Sequence, residues 1–69
     1  MNAEDRVTVK MHKKYEPNNP VFVVTCVNED EPDTVLAVFS EYTEAYDYAI
    51  AEAEMNDLDI YRVIERELI

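Results

Sequence analysis

Val7, Val9 and Met11 alternate with Thr8, Lys10 and His12, so residues 6–12 carry the two-residue period of a half-buried strand. The pattern breaks at Tyr15: Pro17, Asn18, Asn19 and Pro20 make a connection that neither a helix nor a central strand would tolerate. Residues 21–27 are β-branched almost throughout and predict the most buried strand. Residues 28–33 turn the chain, with Glu29, Asp30, Glu31 and Asp33 around Pro32, and residues 34–39 resume the β pattern. The two strands are expected to pair as an antiparallel hairpin whose tip carries four carboxylates.

From Ser40 to about Asn56 the period lengthens to that of a helix. Tyr42, Tyr46, Ala49 and Ala53 share one face, flanked by Ala45 and Ile50. Ser40 or Thr43 is the expected N-cap, Glu41 and Glu44 suit the positive end of the helix dipole, and Asn56 suits a left-handed stop. Residues 60–64 read as a last strand that 65–69 extend or fray. The order β-β-β-α-β predicts an α+β fold, a small and mostly antiparallel sheet with one amphipathic helix packed on one face. Residues 1–69 form a single acidic domain in this reading, with 1–5 disordered. Since the chain has no glycine, Asn19, Asn28 and Asn56 must serve its turns, or the turns must be longer.

Charge changes the picture most. Sixteen acidic residues against six basic ones leave a net charge of −10, and twelve of the acids lie between Tyr15 and Tyr61 without an intervening Lys or Arg. The bases are Arg6, Lys10, Lys13 and Lys14 early and Arg62 and Arg66 late. A field of one sign attracts a positively charged protein and repels nucleic acid and anionic membrane, so neither of those two is an expected partner. The 48% hydrophobic content is too high for a disordered acidic tail. The opening residues lack the basic start and apolar run of a signal peptide, and no run approaches about 18 apolar residues, so a soluble cytoplasmic protein is expected.

Catalytic chemistry has little to draw on. There is one Ser, one His and one Cys, and the thiol–base pairing they allow, Cys26 with His12, would put the thiol in the most apolar strand. Without glycine there is no Gly-rich phosphate loop, and residues 28–33 lack the ligand spacing of a calcium loop. No catalytic residue, metal or cofactor is expected, and the chain reads as a binding protein and not an enzyme.

The outward helix face carries Glu41, Glu44, Asp47, Glu52 and Glu54, and threaded through it are Tyr48, Ala51 and Met55, an apolar stripe expected to form a homodimer interface. Glu44 and Asp47 are about 4.5 Å apart along the helix axis, close to the roughly 3.4 Å charge spacing of one DNA strand. Asp57 and Asp59, with the tip residues Glu29, Asp30, Glu31 and Asp33, extend this array as the expected partner-binding surface.

The valine-rich hairpin Val21 to Phe39, the helix opening Glu41-Tyr42-Thr43-Glu44-Ala45-Tyr46-Asp47 and the strand at 60–64 resemble, in size, charge and layout, the small acidic host-takeover proteins of bacteriophages. DNA mimics recur among them, including uracil-DNA glycosylase inhibitors and an inhibitor of the nucleoid protein HU. The resemblance implies a homodimeric DNA-mimic inhibitor acting in the host bacterial cytoplasm, which occupies the basic DNA-binding surface of a host protein, HU foremost, and displaces DNA. The alternatives are an inhibitor of a nucleic-acid enzyme (a glycosylase, nuclease or RNA polymerase) and a dimerising accessory module. Lys10, Lys13 and Lys14 depart from a uniformly acidic mimic.

Overall fold

A computed structural model describes residues 2–11 and 19–67. A 3-10 turn, Ala3–Arg6, leads into β1 (Val7–Lys10), followed by β2 (Pro20–Asn28), β3 (Glu31–Phe39), α1 (Tyr42–Met55) and β4 (Tyr61–Glu67). This is the expected α+β order, a four-stranded sheet with the helix packed on it. The strands lie in the order β1-β4-β2-β3, β2 antiparallel to both neighbours and β4 parallel to β1. The sheet is thus mixed, because β4 enters between β1 and β2. Residues 1–5, expected to be disordered, include the first part of the 3-10 turn, which is drawn onto the helix end by Arg6. Of the first predicted strand, His12 lies outside the described residues.

β3 and β4 run the same way with β2 between them, so α1 is the crossover that joins them. Fourteen helical residues span about 21 Å, enough to carry the chain back along the sheet over β2. The face turned toward the sheet is narrow: Ala45, Ala49 and Ala53 are fully buried against Phe22, Val24, Tyr61 and Val63. Methyl groups let the helix approach closely, and larger side chains flank them. Tyr42 meets Phe22 edge-on at 5.9 Å between ring centroids and Tyr46 at the same separation, tilted. The buried axis is therefore the alanine row, with Tyr42 and Tyr46 at its half-buried margin.

The hairpin turn is tighter than expected. Glu29 and Asp30 alone form it, Asp30 taking φ +63°, while Glu31, Pro32 and Asp33 belong to β3. Pro32 fits there because β3 is an edge strand and its missing N–H costs no central ladder bond. Asn28 adds side-chain bonds across the turn, donating Nδ2 to Pro32 O at 2.9 Å and to Thr34 Oγ1 at 2.8 Å. The left-handed positions are Asn19 and Asp30 among the described residues. Asn56, expected there, instead has φ −129° and ends the helix by donating Nδ2 to Glu52 O. The N-cap is Glu41 and not Ser40 or Thr43, without a side-chain cap bond.

Candidate functional site: an acidic helix layer opposite a bare sheet face

The helix layer collects most of the predicted acids. Glu41 is exposed at the N-cap of α1, Glu44, Asp47 and Glu54 are exposed along it, and Asp57 and Asp59 are exposed in the connection to β4. Glu52 is half-buried on the flank, sharing a hydrogen bond with Tyr48. Glu29, Asp30 and Glu31 are exposed around the hairpin turn. Asp33 is not part of that free array: its Oδ2 accepts from Thr25 Oγ1 at 3.0 Å and from Arg62 Nη1 at 3.2 Å on the sheet face away from the helix. Alternation along β3 directs it there, since Asp33 stands two residues before Val35, the register partner of Thr25.

The expected apolar stripe divides. Tyr48 is half-buried, its ring tilted on Phe39 with centroids 5.5 Å apart, and packs on the margin of the core. It sits about 100° around the helix from the buried alanine row, and β3 reaches that far. Ala51 and Met55 remain exposed, Met55 at 71%. Leu58, 93% exposed between Asp57 and Asp59, adds an apolar side chain to this end of the layer. Sequence reasoning passed over it because a single leucine in an acidic turn has no period, although Asp57-Leu58-Asp59 is itself a visible signal.

The bases are elsewhere. Arg6 is buried, and its guanidinium donates to Ala53 O at 2.6 Å, Asn56 O at 2.7 Å and Asp59 O at 2.9 Å. It closes the negative end of a helix that has no basic residue in its own last turn. Lys10, Arg62 and Arg66 belong to the opposite face of the sheet, bare of any described element, where register pairs Val23 with both Val38 and Ile64, Ile64 with Lys10, Thr25 with Arg62, and Val21 with Arg66. A shallow depression of about 700 Å³ lies on this face, lined by Val23, Thr25, Val35 and Ile64 among others. Lys13 and Lys14 lie outside the described residues.

Cys26 is half-buried on the helix side of β2, opposite Tyr61. Burial, then the negative charges of Asp59, Asp33 and Glu52, push its thiol pKa up, the direction opposite to that of an activated nucleophile. His12, its candidate partner, lies outside the described residues. Burial likewise leads in raising the Tyr61 pKa, followed by charge at Cys26 and Asp59, with a hydrogen bond to Asn56 acting the other way. Among the described residues no cluster of three or more His, Cys, Asp or Glu side chains is disposed to hold a metal ion, and no helix is long and apolar enough to cross a membrane.

The raised pKa values of Cys26 and Tyr61 have one consequence for stability, in the same direction as that of Tyr48, raised by burial and by the neighbouring Glu52. An acid whose pKa is higher in the fold contributes stability that is complete below its unfolded-state value and is lost as pH rises through the folded one. Unfolding free energy is therefore expected to fall from about pH 9 upward, first through Cys26 and then through Tyr61. Urea titrations at pH 8 to 11 would read this slope. Tyr61→Phe should flatten its upper part, and an unchanged slope in that variant would remove Tyr61 from the account.

Compared with known proteins, the chain matches no family model, no curated protein and no solved structure.

Proposed function

We propose that this protein is a non-catalytic, cytoplasmic binding module whose helix layer occupies a basic protein surface that otherwise receives the phosphates of DNA, with the nucleoid protein HU as the first target to test. The observation that carries this reading is the separation of charge across the sheet. The outward arc of α1 and the turn after it present acids with no described basic residue among them, since Arg6 is buried and Lys10, Arg62 and Arg66 belong to the other face. Such a layer attracts a basic surface over a Debye length and repels DNA itself. Met55 and Leu58 give the acidic rim two exposed apolar side chains that a partner can bury.

The test is competition for DNA. At low salt the protein is expected to release duplex DNA from HU in a mobility-shift assay, and added salt should weaken the effect steeply. Neutralising Glu44, Asp47 and Glu54 together, as Gln, Asn and Gln, keeps side-chain size while removing three exposed charges. At a few tenths to 1 kcal/mol per exposed charge, about tenfold more protein should then be needed. A wild type that leaves HU, a glycosylase, a nuclease and RNA polymerase on their DNA at low salt would end this reading.

A further inference from the structure

We infer that the bare face of the sheet is a homodimer interface, and that two copies pack there sheet to sheet with their helices outward. One face of the sheet is covered by α1, while on the other apolar side chains line up straight across three strands, exposed Val38 with half-buried Val23 and Ile64, in register on β3, β2 and β4. Val35, 61% exposed, and Val38, 57% exposed, continue it on the edge strand. A bulge between Val24 and Thr25 shifts the pairing, so two residues three apart in sequence share this face. The domain that carries the row is small, and its fully buried contacts with the helix are largely alanine.

Charge leaves this face as the one through which two copies repel least. A chain of net charge −10 repels its own copy through any acidic surface, and the helix layer and hairpin turn are acidic. The opposite sheet face brings together far less like charge: its described charges are Lys10, Arg62 and Arg66, with Asp33 held by Arg62, so a small positive excess meets its copy there instead of an array of acids. Pairing through it also sends the two helix layers to opposite sides, roughly 30 Å apart at layer spacings of about 10 Å, well beyond the ~8 Å Debye length at physiological salt.

Strand order supplies the symmetry. In the order β1-β4-β2-β3, a two-fold axis along the strands, midway between β4 and β2, lays β2 of one copy over β4 of the other and β3 over β1. Val23 then meets Ile64 of the second copy, twice. The Asp33 carboxylate, drawn over β2 by Thr25, faces Arg62 of the second copy, so each copy offers the acid where the other offers the base. The aliphatic stem of Lys10 falls across Val38 and leaves its ammonium at the rim. This inference concerns the face opposite the acidic layer, and it stands or falls apart from the proposed function.

Sedimentation equilibrium at micromolar concentration should show two 8.1 kDa chains associated. Val35→Lys with Val38→Lys should weaken the dimer by about tenfold or more, since it puts two charges into an apolar contact. Ala51→Lys with Met55→Lys makes the same charge change on the helix and should leave the dimer intact or tighter, because net repulsion is eased in both doubles alike. Circular dichroism checks the fold, and Val38→Lys alone, on an exposed edge position, serves if the double variant unfolds. A wild-type monomer throughout overturns the inference. So does a dimer broken by the helix pair and spared by the sheet pair, or broken equally by both.

Discussion

Arg6→Ala is expected to destabilise the protein by about 3 kcal/mol or more, the cost of removing a buried charged donor from one buried and two part-buried carbonyls. Three backbone oxygens depend on that guanidinium, those of Ala53, Asn56 and Asp59, and the first belongs to the last turn of α1, where no intrahelical donor follows. Removing a buried cation also leaves Asp57, Asp59 and Glu54 with less to offset their mutual repulsion. For a domain of this size the melting temperature should fall by roughly 12–24 °C. A chain whose whole stability is on the order of 3–10 kcal/mol would then be close to unfolding at body temperature. Arg6→Lys keeps the charge and loses the planar fork, so it should fall between the two. Thermal melts followed by circular dichroism at fixed salt would measure all three proteins. A loss below about 1 kcal/mol for the alanine variant would mean that water caps these carbonyls as well as the arginine does.

Ala49→Leu should cost about 1–3 kcal/mol through overpacking, and it should do so although leucine is nearly as good a helix former. Ala49 is fully buried in the middle of the row that Ala45 and Ala53 complete, in one core cluster with Val24 and Val63. An isobutyl group there must lift the helix or push a strand aside. The same substitution at Ala51, exposed on the outer arc, should change stability by no more than about 0.5 kcal/mol. Urea denaturation of the pair separates packing from propensity, and equal effects at both positions would show that the close helix–sheet approach is not what holds the layers together. Since the acidic array is displayed by this helix, Ala49→Leu should also weaken any interaction that depends on Glu44 and Asp47 keeping their spacing.

Local periods carried most of the fold. The two-residue alternation at Val7 and Val9, the β-branched run from Val21 and the 3.6-residue spacing of Tyr42, Tyr46, Ala49 and Ala53 each describe how one segment meets one surface, and each such segment took its expected type, although β1 is shorter than the predicted 6–12 and Ala45, not Tyr46, lies on the buried axis of the helix. The acidity of the helix and its turn was equally legible, because exposed charge on a helix follows from angle alone. Partners far apart in the chain were not. Nothing near Ile60 says that β4 will enter between β1 and β2, since strand order is decided by which edges remain once the crossover helix has covered β2. The register bulge that brings Val35 and Val38 to one face is set across the hairpin, not along it. Arg6 reads in sequence as one of several surface bases; only the fold brings it 47 residues forward to the end of α1. Asp33 and Tyr48 were assigned to open surfaces by position and angle, and tertiary neighbours, Arg62 and Phe39, claimed both. Sequence alone thus determined which elements form and that the helix is acidic, because both follow from spacing within a few turns. Tertiary structure decided which charges stay free and which sheet face stays bare, because those depend on pairings that close over tens of residues.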